Sequence, residues 1–236
     1  MVCIGLLVSN AHAGTKVTAQ SWLVSDANGK IIQSENANQQ RSIASITKLM
    51  TAMVVLDSKQ DLNETFKFKN MTVTRHELIN LALVHSDNQA AQALCDHYNG
   101  GSPNCVRDMN YKAGRLGLTQ TKYVDPTGLG VFNVSTAMEL VTIVKTASTY
   151  PEIVTASKMS DVKIKIKRKW LVFRNTNPII GKRHEFIVSK TGYISASGGC
   201  IVMMLNTDVG SRIVIVLGSK NTHTRIPEAE FISSLE

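Results

Sequence analysis

The segment RSIASITKLMTAMVVL, residues 41–56, predicts the central helix of this protein. Its apolar residues recur at helical spacing without an intervening Gly or Pro, which is typical of a helix packed in a core. They are Ile46, Leu49, Met50, Met53, Val54 and Leu56. Ser45 would lie in the first turn, three residues before Lys48, and side chains three apart are neighbours on a helix. We therefore expect the Lys48 amine to act as the base that makes the Ser45 hydroxyl a nucleophile.

A Ser-x-x-Lys spacing arises easily by chance, and a second copy stands at residues 160–163 (SDVK). That copy begins the alternating run 162–167, which predicts a strand, where positions three apart face opposite sides. The assignment of Ser45 therefore depends on partners elsewhere in the chain. Two candidates are the triplets at residues 86–88 (SDN) and 190–192 (KTG).

The first triplet lies between two helical patterns, where a short loop can present side chains into a cleft. Ser86 could relay a proton to a leaving amine, and Asn88 could bind a substrate amide. A helix cap is the alternative interpretation, because Ser, Asp and Asn are all good N-caps. Taken alone, this triplet favours the cap.

The second triplet ends a predicted strand, and a peptide can bind along an exposed strand edge through its main chain. There Lys190 would supply positive charge and Thr191 a hydroxyl for a carboxylate. Gly192 would permit a close backbone approach. An ordinary strand end with turn residues is the alternative.

The length of 236 residues and 43% hydrophobic content suit a globular chain with a sizeable core. The net charge of +8 favours an anionic partner, and on charge alone cell-wall polymer, membrane surface and nucleic acid all remain open. The apolar run at residues 1–13 ends in Ala11-His12-Ala13 and predicts a signal peptide cleaved after Ala13, although it lacks a basic leader. A hydrophobic first strand is the alternative, and no later run approaches the ~20 apolar residues of a membrane span.

The cysteines and histidines indicate no metal site, because none has paired ligand spacing. Cys95 and Cys105 flank a turn between two helical patterns and could form a disulfide in an oxidising compartment, which spacing alone leaves open. Cys200 is interpreted as a buried core thiol. We expect no metal and no cofactor.

The overall pattern predicts a single α+β domain over residues 14–236. A hairpin turns at residues 26–29 (DANG), helical patterns dominate to about residue 147, and a final helix begins near Pro227. Strands are predicted at residues 162–167, 170–174, 185–191, 199–205 and 212–218. The N-terminal hairpin has no core of its own, so it should join the C-terminal strands in one antiparallel sheet, with the helical region as an insertion.

The three motifs occur in the order found in serine β-lactamases and penicillin-binding proteins. Together with residues 43–57, 125–129, 133–137 and 173–177, they make the sequence resemble the low-molecular-mass penicillin-binding proteins that act as D-alanyl-D-alanine endopeptidases. The resemblance implies a β-lactamase/transpeptidase-like fold, with an antiparallel sheet flanked by helices and an all-helical subdomain. It also implies a serine peptidase of the periplasmic or exported cell-envelope space that cleaves peptidoglycan cross-links and is acylated by β-lactam antibiotics.

The same resemblance implies the roles of the site residues. Ser45 would be the nucleophile and Lys48 its base, acting directly or through Ser86. Asn88 would line the cleft with Ser86, and the substrate side would be bound by Lys190, Thr191 and Gly192. The oxyanion hole would consist of the backbone N–H groups of Ser45 and Tyr193. Lys48 must be neutral to act, and apolar burial and the nearby Lys190 would both lower its pKa.

Other functions remain as alternatives. A D-alanyl-D-alanine carboxypeptidase is the nearest, although those proteins often continue into a second β domain and an amphipathic anchor. A class A-like β-lactamase needs a glutamate for deacylation, and neither Glu77 nor Glu139 is a convincing counterpart. A penicillin-sensing module without turnover is the third.

Two features depart from the resemblance. The chain between Lys67 and Thr74 is shorter than expected, and a basic ribbon follows residue 162. The ribbon consists of Lys163, Lys165, Lys167, Arg168 and Lys169. It is interpreted as a solvated strand face, with docking to anionic wall polymer as the competing hypothesis. We expect peripheral membrane or wall association at most, and no nucleic-acid partner.

Overall fold

The structure is a computed structural model that describes residues 17–236. The predicted signal peptide, residues 1–13, lies outside the described residues. The strands are β1 (Ser21–Asp26), β2 (Ile31–Glu35), β3 (Arg41–Ser42), β4 (Thr65–Phe68), β5 (Met71–Thr74), β6 (Val134–Ser135), β7 (Asp161–Ile166), β8 (Lys169–Arg174), β9 (Glu185–Ile194), β10 (Gly198–Thr207) and β11 (Gly210–Ser219). The helices are α1 (Thr47–Asp57), α2 (Arg75–Leu83), α3 (Asn88–Asp96), α4 (Gly101–Arg115), α5 (Ala137–Ala147), α6 (Pro151–Lys158) and α7 (Arg225–Ser233). None of the helices between residues 17 and 236 has the length and apolar content to span a membrane.

The main sheet is antiparallel, with the strand order β2-β1-β11-β10-β9. The first strand pairs with the last, from Ser21 opposite Leu217 to Asp26 opposite Arg212. The Asp26 side chain holds the β1–β2 turn by accepting hydrogen bonds from the backbone N–H groups of Asn28 and Lys30. The N-terminal hairpin therefore joins the C-terminal strands as predicted, and the α+β fold class is confirmed.

Both faces of this sheet are buried, because successive strand residues point to opposite sides and both sides are apolar. Leu23 and Ile215 lie in the larger core, together with the buried residues of α1 to α6. Val24 and Val214 lie in a smaller core that is covered by Ile226 and its neighbours in α7. The helix α1 is buried along nine of its eleven residues, as expected of a core helix.

The start of the central helix differs from the prediction. A 3-10 turn spans Ala44–Ile46, and α1 begins only at Thr47. Ala44 has a φ of 45°, a left-handed conformation from which an α-helix cannot be continued backwards. Ser45 therefore lies in the 3-10 turn, where side chains three residues apart eclipse each other. Ser45 and Lys48 are therefore still neighbours, as predicted, although Ser45 lies outside the α-helix.

Three further features differ from the prediction. The strands β7 and β8 lie where they were predicted, but they form a hairpin separate from the main sheet, because β7 buries Val162 and Ile164 against the larger core. The short hairpin of β4 and β5 interrupts the region predicted to be mainly helical. The helix α6 was missed, although Pro151 at its first position suits a helix start. A capping box of Thr74 and Glu77 begins α2.

A disulfide joins Cys95 at the end of α3 to Cys105 in α4, with a Cα–Cα distance of 5.4 Å. Cys200 is buried and free. The bridge closes a loop with a sequence separation of 10 residues. The double variant Cys95→Ala/Cys105→Ala should therefore lose about 2–3 kcal/mol in its free energy of unfolding, measured by urea denaturation. Cys200→Ala is the control for thiol loss, and equal stability of the double variant and the parent protein would contradict the expectation.

Candidate active site

Three elements meet beside the 3-10 turn that carries Ser45. Gly192 in β9 packs so closely that a Cβ there would lie 3.0 Å from the Ile43 carbonyl oxygen and 3.1 Å from the Ser45 backbone nitrogen. On the other side, a Cβ on Gly128 would clash with the Ala44 carbonyl oxygen. Glycine at both positions therefore allows β9 and the loop after residue 124 to approach the backbone of Ser45.

Lys48 is fully buried and makes three short contacts. Its Nζ lies 2.7 Å from Ser45 Oγ, 2.7 Å from Asn88 Oδ1 and 2.6 Å from the Thr127 carbonyl oxygen. Asn88 Oδ1 and the Thr127 carbonyl can only accept hydrogen bonds. In a neutral amine they take the two N–H groups, which leaves the nitrogen lone pair directed at the Ser45 hydroxyl.

The charge state of Lys48 is set mainly by its burial. Desolvation lowers its pKa to about 7, against the opposing effect of the carboxylates of Asp125 and Asp87. Near neutral pH, a large share of the molecules therefore carries Lys48 as a free amine. Such an amine can take a proton from a hydroxyl 2.7 Å away.

The loop that supplies the Thr127 carbonyl is held by an internal network. Asp125 Oδ1 accepts hydrogen bonds from the backbone N–H groups of Thr127 and Gly128. Asn133 Nδ2 donates to Thr47 Oγ1 at the start of α1 and to the Asp125 carbonyl. Residues 125–129 carry part of the resemblance, but they were not predicted to have a role in the site, and the contact of Thr127 with Lys48 spans 79 residues of sequence.

The residues of the first triplet have different roles in the structure. Asp87 is the N-cap of α3, where its Oδ1 accepts from the Ala90 N–H at 2.9 Å. The cap interpretation is therefore correct for Asp87 alone, because Ser86 and Asn88 both contact active-site lysines. Ser86 has a φ of 58°, a left-handed conformation stabilised by the turn between α2 and α3.

A salt bridge ties this turn to the β4–β5 hairpin. Lys69 Nζ lies 2.7 Å from Asp87 Oδ2. Partial burial alone would raise the pKa of Asp87, but its hydrogen bonds with Lys69 and the Ala90 N–H lower it. The hairpin was not predicted, and neither was this contact.

Lys190 is the second buried lysine of the cleft. Its Nζ donates to Ser86 Oγ at 2.8 Å and to the Thr191 carbonyl at 3.0 Å. Burial lowers its pKa well below the usual value, and the positive charges of Lys48 and Arg225 lower it further. Within residues 17–236, neither Lys48 nor Lys190 has a carboxylate within 4 Å.

Arg225 is a site residue that the sequence did not identify. It is buried, donates from Nη1 to the Gly192 carbonyl at 2.7 Å, and also lines a cavity of about 500 Å³ with Thr176. It forms no ion pair within the described part of the chain. No signal in the sequence pointed to Arg225, because the final helix was predicted to begin near Pro227, whereas α7 begins two residues earlier at Arg225.

The far end of the site is formed by Thr191, whose Oγ1 lies 2.6 Å from Thr176 Oγ1. Tyr193 follows Gly192 in β9, and its side chain is partly exposed. His85 Nδ1 lies 3.0 Å from the Arg174 carbonyl, on the side of the turn next to β8. The contacts thus bring together Ser45, Lys48, Ser86, Asn88, Lys190 and Gly192, and Thr191 and Tyr193 adjoin them in β9.

Comparison with known proteins now identifies the family. The family described as D-alanyl-D-alanine carboxypeptidase, peptidase S11, matches residues 8–67 and 60–221. The chain belongs to this family of serine-type peptidases. The two matched segments overlap at residues 60–67, just before the stretch from Lys67 to Thr74 that is shorter than the resemblance leads us to expect.

Individual members of the S11 family agree with this assignment. The D-alanyl-D-alanine endopeptidase of Pseudomonas aeruginosa is 35% identical over 234 residues, which cover 91% of this chain and 76% of that protein. The D-alanyl-D-alanine endopeptidase of Escherichia coli is 35% identical over 230 residues, covering 88% and 74%. The crystal structure of ampicillin-bound penicillin-binding protein D2 from Listeria monocytogenes has a TM-score of 0.83 at 25% identity, covering 93% of this chain and 97% of that one. The predicted transpeptidase-like fold is thereby confirmed.

Proposed function

We propose that this S11 peptidase is a serine D-alanyl-D-alanine endopeptidase that cleaves peptide cross-links of peptidoglycan through an acyl-enzyme. The observation that carries the proposal is the buried Lys48 amine, with a pKa of about 7, at 2.7 Å from Ser45 Oγ. The names of the relatives from Pseudomonas aeruginosa and Escherichia coli support endopeptidase activity.

In the first step, Ser45 Oγ attacks the D-alanyl carbonyl carbon while Lys48 takes its proton. The direct contact between the two side chains supports a direct transfer, since Ser86 is bonded to Lys190 instead. The resulting oxyanion would accept hydrogen bonds from the backbone N–H groups of Ser45 and Tyr193. One such donor is worth roughly 10²–10³-fold in turnover in comparable enzymes.

In the second step, the bond between carbonyl carbon and nitrogen breaks, and the leaving amine takes up the proton. Ser86 would relay this proton from Lys48: its hydroxyl gives its own proton to the amine and is reprotonated from Lys48, which is then neutral for the next step. Ser86 is suited to this role because its loop neighbour Asn88 contacts Lys48, and Lys190 holds the Ser86 hydroxyl by donating a hydrogen bond to it. Lys190, Thr191 and Arg225 would bind a carboxylate of the substrate, since a buried amine, a buried guanidinium group and a hydroxyl converge there.

In the last step, a water molecule attacks the Ser45 ester, its proton passes to Lys48, and the proton on Lys48 returns to Ser45 Oγ. The products are a peptide carboxylate and a free amine. A β-lactam would react by the same attack, with ring opening in place of amine release, and β-lactams are therefore proposed as inhibitors.

A D-alanyl-D-alanine carboxypeptidase is the second candidate, because the matching family carries that description. A class A-like β-lactamase is less well supported. Glu139 binds the Gln120 N–H and the Thr121 hydroxyl, and Glu77 belongs to the capping box of α2. Both carboxylates are therefore engaged away from Ser45 and Lys48.

The test offers the purified protein a cross-linked muropeptide dimer and, separately, a pentapeptide monomer. Products are resolved by liquid chromatography and mass spectrometry, with Ser45→Ala as the control. Conversion of dimers to monomers is the expected result. Release of only the terminal D-alanine, with the dimer intact, would establish the carboxypeptidase instead.

We also propose that the protein acts in the periplasm or another exported cell-envelope compartment. The predicted signal peptide, the Cys95–Cys105 disulfide and the peptidoglycan substrate support this location. The exported protein should begin at Gly14, as measured by intact mass. A full-length mass in the cytoplasmic fraction would contradict the proposal.

A further inference from the structure

The β7–β8 hairpin stands apart from the main sheet, and its second strand is almost entirely exposed. Its two strands pair with each other and, within residues 17–236, with no third strand. The strand β7 contacts α2 and β5, whereas β8 lies on the outside. The hairpin therefore presents one complete face to its surroundings.

That face combines lysines with apolar side chains. In the strand register, Lys163 lies opposite Val172, and Lys165 lies opposite Trp170. Trp170 and Val172 on this face are 60% and 53% exposed, whereas Leu171 between them pairs with the buried Ile164 on the opposite face. An outward strand face next to water is normally polar, so the two exposed apolar residues Trp170 and Val172 indicate a contact surface.

The hairpin is also the most concentrated positive charge of the chain. Residues 161–174 contain one acidic residue, Asp161, and six basic ones. The basic residues are Lys163, Lys165, Lys167, Arg168, Lys169 and Arg174. None of the six has an acidic side chain within 4 Å in the described structure. This charge is thus available to an anionic partner.

We propose that this face docks onto the surface of an anionic phospholipid membrane. Tryptophan favours the boundary between headgroups and acyl chains, and lysine side chains extend from there to lipid phosphates. Trp170 and Val172 would enter the boundary, while Lys163 and Lys165 on the same face remain at the headgroups. The turn cations Lys167 and Arg168 add to the attraction.

A membrane fits the face better than an anionic wall polymer does. A polymer of sugars and acidic groups would be bound by hydrogen-bond donors and acceptors beside the cations. The Val172 side chain offers neither, and burying it in a lipid surface is favourable because its apolar atoms are removed from water. A lipid surface accounts for the lysines and the apolar residues together.

Docking there would also orient the catalytic cleft. The Arg174 carbonyl at the end of β8 contacts His85, and Thr176, two residues later, bonds Thr191. The hairpin thus leads directly into the Ser86 and Thr191 side of the cleft. That edge of the cleft would be held at the membrane surface.

The experiment measures co-sedimentation with vesicles of phosphatidylcholine alone or with phosphatidylglycerol added. All variants share the same N-terminus, so residues 1–16 contribute equally to each. We expect binding to the anionic vesicles that falls with salt, and little binding to the neutral ones. In Trp22→Phe, Trp170 is the remaining tryptophan, and its fluorescence should shift to the blue and be quenched by brominated lipid.

Matched variants test whether binding depends on this face in particular, or only on the net charge and the exposed aromatic area of the protein. Lys163→Gln/Lys165→Gln should weaken partitioning about 25-fold, at roughly fivefold per lysine. Lys122→Gln/Lys220→Gln removes the same charge from exposed positions elsewhere and should have little effect. Trp170→Ser should weaken partitioning at least about tenfold, and Tyr111→Ser, at another exposed aromatic residue, should not.

Three outcomes would overturn the proposal. The first is the absence of binding to anionic vesicles. The second is equal weakening by the control pair Lys122→Gln/Lys220→Gln, which would indicate a general charge effect. The third is lysine-dependent binding to lipid-free sacculi without quenching of Trp170 by lipid, which would assign the hairpin to wall polymer.

Discussion

Ser45→Ala should abolish covalent labelling by penicillin, because alanine has no oxygen to form the ester. Turnover of the cross-linked substrate should fall roughly 10⁶-fold, the scale seen when other serine peptidases lose their nucleophile. The fold should survive, since Lys48 keeps its contacts with Asn88 and Thr127. Labelling is measured by intact-protein mass, and folding by thermal unfolding.

The chain itself provides a matched control in the second Ser-x-x-Lys copy. Ser160 precedes β7, a strand that presents Lys163 to the exterior, so the two residues cannot form the catalytic pair. Ser160→Ala should label at the parent rate. A Ser45→Ala variant that still gained the mass of penicillin would place the nucleophile elsewhere.

Lys48→Ala should slow acylation by about 10²–10⁴-fold at neutral pH, the range that a positioned general base contributes. The variant keeps the Ser45 hydroxyl but leaves no base at 2.7 Å from it. The rate is measured as the time course of the penicillin adduct at several penicillin concentrations. If Lys48 is the base, the variant should form the same penicillin adduct as the parent protein, with the same final mass, but much more slowly.

Two controls test whether a slower acylation rate reflects the loss of Lys48 as the base. Lys163→Ala, in the second Ser-x-x-Lys copy, should acylate at the parent rate. Lys48→Ala should remain folded, because alanine removes a buried group whose charged form is disfavoured by desolvation. A folded Lys48→Ala variant with an unchanged acylation rate would exclude Lys48 as the base.

The sequence predicted most of the fold because most elements carry a strong local pattern. The alternation in the C-terminal strands and the Asp26 turn were sufficient to predict the antiparallel sheet. The elements that failed depend on distant partners. The 3-10 turn before α1 follows from the left-handed Ala44, which packs against Gly128, 84 residues later. The separate β7–β8 hairpin follows from packing on α2, which strand periodicity does not encode.

The site was predicted in part for the same reason. The contact between Ser45 and Lys48 is local and follows from a three-residue spacing. The positions of Ser86 and Lys190 came from motif order, and their hydrogen bond spans 104 residues. The Thr127 carbonyl was missed because every residue has a backbone oxygen, so the sequence does not show which one contacts Lys48. Arg225 was missed because a single arginine outside any motif does not indicate a site.

The dependence of acylation rate on pH tests the account most directly, since its central claim is that Lys48 reacts as a neutral amine. The pKa of Lys48 is lowered to about 7, so the reactive fraction falls below that pH and saturates above it. The rate of penicillin acylation should rise with pH through a midpoint near 7 and then level off. A rate that is flat between pH 5 and 9, or one that rises only near the ordinary lysine value of 10.5, would contradict the claim.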